Sequence, residues 1–126
     1  MRIAVGSDHR GYELKSQLQQ LLVDRGHDVV DVGTHDRQSV DYTDFAEQVC
    51  CKVLRGEAAR GILICGTGIG MSVTANKFPG IRAATCHDPR TVVLIIGILA
   101  MGIAPNWLVK LIQPGTDALL NQIVQP

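Results

Sequence analysis

The sequence predicts an α/β domain in which a parallel sheet is covered by helices on both faces. Three observations carry that prediction. Short apolar runs alternate with segments of helical periodicity, the pattern of repeated strand–helix–strand units. Glycines stand where the helical segments end and the chain must turn back. The chain has 126 residues, 46% of them hydrophobic, which suits one domain with a substantial core and excludes a disordered chain.

Residues 2–6 read as a buried first strand. Leu14, Leu18, Leu21 and Leu22 then recur at helical spacing, and Gly26 supplies the stop. Residues 29–32 read as a second strand, followed by a polar loop to about Val40. Asp44 with Glu47 predicts a capping box. Ala46, Val49, Cys50, Val53 and Leu54 share the next helical face, which Gly56 ends. Residues 61–65 form the third predicted strand, residues 66–70 a glycine-rich turn, and residues 71–77 the start of another helix. Residues 81–85 are expected as a fourth strand and residues 98–101 as a fifth, giving a mostly parallel five-stranded sheet.

Lys and Arg number 12, and so do Asp and Glu. Zero net charge lacks the basic face that a nucleic-acid backbone demands, and 4% aromatic residues leave few platforms for base stacking. No nucleic-acid partner is expected. Of the 24 charged residues only Lys110 and Asp117 follow position 90. Residues 91–109 hold no charge. A membrane helix needs about 20 apolar residues, but Gly97, Gly102, Pro105 and Asn106 interrupt this run, so a buried strand flanked by apolar helical turns is expected and no membrane span. No charged leader with a cleavage site opens the chain. Cys50, Cys51, Cys65 and Cys86 form no CxxC pair. Reduced thiols in a cytoplasmic protein are expected, with no disulfide framework, metal site or cofactor. No repeat or linker appears, so residues 1–126 read as a single domain with an atypical segment at 91–126.

Ligands of parallel sheets bind beyond the carboxyl ends of the strands. The first strand runs out at Ser7, Asp8 and His9, the third at Cys65, Gly66 and Thr67, and the predicted fourth at Cys86, His87 and Asp88. Acids, histidines and thiols therefore meet at one edge. The turn Gly66-Thr67-Gly68-Ile69-Gly70 offers backbone amides to an anion. Met71 follows it, so it is neither a GxGxxG fingerprint nor a Walker loop. A tight turn at positive φ explains one glycine, not three in five residues, and anion or oxyanion binding is the favoured reading.

Cys65 just before a helix is placed where thiolate is favoured, as a base or nucleophile. A lone cysteine is more often buried and inert, the reading given to Cys50 and its neighbour Cys51. Asp8 alone would read as a cap for the next helix. The histidine beside it and a second one at a neighbouring strand end favour catalysis. Asp88 before Pro89 is also a good turn starter, Asp44 is explained by capping, and His27 and His35 read as solvated. A cysteine phosphatase needs an arginine closing the loop after Cys65, where Met71 stands. A phosphoacceptor receiver domain needs an aspartate where Cys65 stands. Both are set aside.

Residues 6–11 (Gly-Ser-Asp-His-Arg-Gly), 41–46 (Asp-Tyr-Thr-Asp-Phe-Ala) and 65–77 (Cys-Gly-Thr-Gly-Ile-Gly-Met-Ser-Val-Thr-Ala-Asn-Lys) resemble the ribose-5-phosphate isomerase B family, which includes galactose-6-phosphate isomerase subunits. Residues 82–88 (Arg-Ala-Ala-Thr-Cys-His-Asp) continue the likeness, which covers about residues 1–90. The long block at 65–77 is highly specific and the shorter ones support it. The resemblance implies a Rossmann-like three-layer α/β/α fold, a homodimer or higher homo-oligomer with sites at the subunit interface, and a metal-free aldose–ketose isomerase acting on a sugar phosphate through an enediol(ate). Carried over residue by residue, Cys65 is the base, Thr67 and His87 assist ring opening, and Asp8 holds hydroxyls and shuttles protons. The amides of Gly66, Gly68, Ile69 and Gly70 stabilise the enediolate, His9 approaches the phosphate, and Tyr42 and Asp88 line the pocket.

Beyond Arg90 the likeness ends, apart from residues 98–102, which are similar to the family's next strand. Family members carry a charged helix there and C-terminal arginines that grip the phosphate, whereas no arginine follows Arg90 here. Arginine is the side chain best shaped for a phosphate dianion, and His9 and Arg10 remain to meet it. The alternative to an active ribose 5-phosphate isomerase is accordingly a non-catalytic or substrate-shifted member: a hexose 6-phosphate isomerase subunit, or a binding or regulatory relative. The loss of charge at the same point marks the tail as diverged or frame-altered, and its apolar surface favours association.

Overall fold

The structure, a computed structural model, describes residues 1–103, without the side chains of Pro89 and of residues 99–103. The chain divides into two compact units, Met1–Thr85 and Cys86–Pro126.

The first unit runs β1 (Arg2–Ser7), α1 (Tyr12–Asp24), β2 (Asp28–Asp31), α2 (Tyr42–Leu54), β3 (Arg60–Ile64) and α3 (Ile69–Ala75). The strands form a parallel sheet in the order β2-β1-β3. Every second residue of a strand faces the same side, and β1 distributes its side chains accordingly. Ile3 and Val5 pack with Ile64 against Leu18 and Leu22 of α1. Ala4 packs with Ala58 against Val49 and Val53 of α2. The expected helix-covered parallel sheet is therefore present as three layers, with β1 at its centre. Gly26 and Gly56, at φ +76° and +72°, close α1 and α2 as expected.

Several expectations need correction. The stripe that α1 buries is Lys15, Leu18 and Leu22, whereas Leu14 and Leu21 are 57% and 44% exposed. In α2, Ala46, Val49 and Cys50 are buried and Val53 packs on the sheet as expected, but Leu54 is turned outward. Its cap is Asp41, not Asp44: the Asp41 carboxylate accepts the Thr43 amide at 2.9 Å and hydroxyl at 2.7 Å. The described sheet has three strands. Among the described residues, 81–85 join no ladder, and the peptide groups of Ala83 bond to the Asn76 side chain, at 3.0 and 2.8 Å.

In the second unit, residues 98–101 are not a strand but part of α4 (Pro89–Ile103). An apolar run cannot be assigned to strand or helix by periodicity alone, and the 15-residue helix enters this one from Pro89 and Arg90. Asp88 caps it, accepting from the amides of Arg90 and Thr91 and from the Thr91 hydroxyl. Val93, Leu94, Ile96 and Ile98 are exposed along it, the apolar surface expected of this segment. Among the described residues no helix is long and apolar enough to cross a membrane. The breakers Pro105 and Asn106 and the charges Lys110 and Asp117 lie outside the described residues.

Candidate active site

The parallel sheet delivers β1 and β3 side by side, so their exits meet. The Asp8 amide donates to the Ile64 carbonyl at 3.2 Å, joining the two strand ends. Asp8 is buried, and its two oxygens have different fates. Oδ1 accepts the amides of Arg10 and Gly11, each at 2.9 Å, and so organises the turn into α1. Oδ2 makes no hydrogen bond among the described residues.

Cys65 follows β3, and the Gly68 amide donates to its Sγ at 3.1 Å. Gly68 is the residue before α3 and has φ +73°, a left-handed conformation that aims its N–H back at the sulfur. A Cβ in that conformation costs about 1–2 kcal/mol. Gly68→Ala is expected to lose about that much stability in urea denaturation and to release the sulfur from its amide. The helix α3 that follows has seven residues. The Thr67 hydroxyl is exposed and accepts weakly from the Ile69 amide at 3.4 Å.

The turn is flanked on two sides. A Cβ on Gly66 would stand 3.1 Å from Arg10 Nε, so the Arg10 side chain lies across the Gly66 peptide. Its guanidinium has no hydrogen bond or ion pair among the described residues. A Cβ on Gly70 would stand 3.0 Å from the Tyr42 ring, which places the first residue of α2 against the far end of the turn. His9 follows Asp8, and its Nδ1 accepts the Val40 amide at 3.2 Å. An N–H can only donate, so the proton of the neutral imidazole belongs on Nε2.

The first unit thus brings together Asp8, His9, Arg10, Tyr42, Cys65 and the 66–70 turn. His87 and Asp88 belong to the second unit. His87 is exposed. Hydrogen bonds from the Thr91 side chain and amide hold the Asp88 carboxyl below the usual carboxylate range. Cys50 is buried, and that burial, with Cys51 and Glu47 nearby, pushes its thiol up, an inert setting. No cluster of His, Cys, Asp or Glu that could hold a metal ion occurs among the described residues.

Two charged residues escaped the sequence reading. Lys15 is 1% exposed, and its ammonium donates to both Asp31 oxygens, at 2.9 and 2.7 Å, and to the Thr34 carbonyl at 2.7 Å. The signal was a lysine at the i, i+3, i+7 spacing of the buried face with Leu18 and Leu22.

Comparison with known proteins supplies a family. A family model described as Ribose/Galactose Isomerase matches residues 3–101. Ribose-5-phosphate isomerase B of Escherichia coli is 50% identical over 88 residues, covering 70% of this chain and 59% of that protein. Ribose-5-P isomerase B of Listeria innocua is 39% identical over 128 residues, covering 94% of this chain and 85% of that protein, so this likeness runs past Arg90. The solved ribose-5-phosphate isomerase B of Clostridium thermocellum superposes with a TM-score of 0.71 at 53% identity, over 72% of this chain and 62% of that one. The chain thus spans less than two thirds of the Escherichia coli and Clostridium thermocellum relatives.

Proposed function

The chain belongs to the ribose/galactose isomerase family, and from that premise we propose that it interconverts ribose 5-phosphate and ribulose 5-phosphate through an enediol(ate), with Cys65 as the base. The observation that carries this reading is the Cys65 sulfur, held by the Gly68 amide at the same sheet edge as the unshared Oδ2 of Asp8. The names of the Escherichia coli, Listeria innocua and Clostridium thermocellum relatives support it.

The chemistry follows from these groups. With the sugar ring opened, assisted by the Thr67 hydroxyl, the Cys65 thiolate removes the proton from C2. The electron pair forms the C1–C2 double bond, and negative charge moves onto O1. The amides of the 66–70 turn meet that charge without reorganising, the most economical form of transition-state stabilisation. Asp8 takes the proton from O2 and delivers it to O1 as the C2 carbonyl forms. The Cys65 thiol returns its proton to C1, and the ketose results with thiolate and carboxylate restored. Tyr42 walls the site beside Gly70.

The phosphate falls to His9 Nε2–H and the Arg10 guanidinium. A charge-assisted hydrogen bond is worth about 1.5–3 kcal/mol, so Arg10→Ala is expected to raise KM for ribose 5-phosphate about tenfold or more while kcat changes little, as read from steady-state kinetics. The lack of arginine within residues 91–126 favours one second reading, a substrate-shifted or non-catalytic member. Assays of the purified chain on ribose 5-phosphate and galactose 6-phosphate in parallel separate the cases. Turnover of the pentose phosphate supports the proposal, turnover of the hexose phosphate alone replaces the substrate, and no turnover of either by a folded chain replaces the enzyme with a binding relative. Self-association as a homo-oligomer, favoured by the exposed apolar side chains of α4, belongs to the same reading.

A further inference from the structure

We propose that the pair formed by the buried Lys15 and the half-buried Asp31 is a positioning device for His9: it fixes the loop after β2 so that the Val40 amide holds the His9 imidazole in its Nε2–H tautomer. Neither residue belongs to the set that meets substrate, and both lie beneath the strand ends that carry it.

An ammonium has three protons, and Lys15 directs its bonds to the Asp31 carboxylate and the Thr34 carbonyl. Asp31 Oδ1 also accepts the Gly33 amide at 2.9 Å. The chain leaving β2 is therefore gripped at residues 31, 33 and 34. The same stretch is laced to the exit of β1. The Val32 amide donates to the Val5 carbonyl at 2.9 Å, and the Thr34 amide to the Ser7 carbonyl at 3.0 Å. The approach is so close that a Cβ on Gly33 would stand 2.5 Å from the Ser7 nitrogen and 2.9 Å from Lys15 Cδ. Only glycine permits that contact.

From this anchor the loop proceeds through internal bonds. The Asp36 amide donates to Thr34 Oγ1 at 3.4 Å, and the Gln38 amide to Asp36 Oδ1 at 2.9 Å. It closes at Val40, whose amide donates to His9 Nδ1. His9 is thus held from two directions: its backbone follows Ser7 and Asp8 at the end of β1, and its ring is met by a loop anchored to that same strand. A buried ion pair is a costly way to gain stability, whereas it is a precise way to fix a loop. With Nδ1 occupied, Nε2–H is the donor presented outward.

The consequence for catalysis rests on the sugar-phosphate reading, but the tautomer does not, and the experiment separates them. Uniformly 15N-labelled full-length chain is examined by long-range 1H–15N correlation of the histidine rings at alkaline pH, with the His9 signals assigned by His9→Gln. The wild type is expected to show His9 as the Nε2–H tautomer alone. Lys15→Met and Asp31→Asn are expected to show a mixture of tautomers while circular dichroism reports an intact fold. Their KM for ribose 5-phosphate should rise about tenfold, the loss of one charge-assisted hydrogen bond, with kcat nearly unchanged. A wild-type His9 protonated on Nδ1 overturns the proposal whether or not the variants fold. So does a folded variant whose His9 remains wholly Nε2–H. If the wild type turns over no sugar phosphate, the functional reading fails while the tautomer comparison still decides the positioning role.

Discussion

Serine at position 65 is expected to lower kcat for ribose 5-phosphate by about 10²–10⁴-fold, the range a positioned general base supplies, with KM changed little and the circular dichroism spectrum retained. A hydroxyl still accepts the Gly68 amide that now meets Sγ, so the turn keeps its partner. What is lost is acidity: an alcohol forms no appreciable anion near neutral pH, whereas a thiol does. A drop in kcat with KM preserved locates the loss in the transition state. A serine variant within a few-fold of wild type removes the sulfur from the mechanism.

The second large effect concerns stability. Asp31→Ala is expected to cost about 3–5 kcal/mol, because it leaves a buried ammonium with the Thr34 carbonyl as its remaining hydrogen-bond acceptor and the Tyr12 ring 5.8 Å away. Acid has a smaller effect of the same kind. Burial raises the Asp31 carboxyl, but hydrogen bonds from the Lys15 and Gln19 side chains and the Gly33 amide, with the charge of Lys15, outweigh it and leave the group below its ordinary value. His35 Nδ1 lies 3.9 Å from the same carboxylate. A carboxyl depressed in the folded state binds protons more readily once unfolded. Its contribution is present above the unfolded value of about 3.9 and is lost as pH falls through the lower folded value. Urea denaturation from neutral pH down through that window should show wild-type stability falling more steeply than that of Asp31→Asn. Parallel curves for the two would dissociate Asp31 from the acid response.

Much of the fold was legible because glycines punctuate it. The strands at positions 2–7 and 60–64 and the helices α1 and α2 appear within a residue or two of where the apolar runs and Gly26 and Gly56 put them. What was hidden has physical causes. Lys15 was hidden because a charged residue is expected outside, and its burial depends on Asp31, sixteen residues away. Asp41 and Asp44 are equally good caps by residue type, and only the backbone entry angle decides between them. The apolar run after Arg90 carries no alternation, so the helix Pro89–Ile103 stood where a strand was expected. At the site, Cys65, Asp8 and the glycine turn were legible from strand-end logic. The Gly68-to-sulfur bond and the two fates of the Asp8 oxygens were not, since both depend on backbone conformation. Arg10 drew notice only as a residual cation, because its place across Gly66 is a tertiary contact.

The most direct test of the account follows ribose 5-phosphate by NMR in D₂O with the purified chain, wild type beside Cys65→Ser. A base that exchanges its proton with solvent marks the sugar with deuterium as it works. The wild type is expected to yield ribulose 5-phosphate carrying deuterium at C1 and to return deuterium to C2 of the aldose, while the serine variant does neither. Conversion without loss in the serine variant, or a folded wild-type chain that neither converts the sugar nor exchanges its protons, contradicts it.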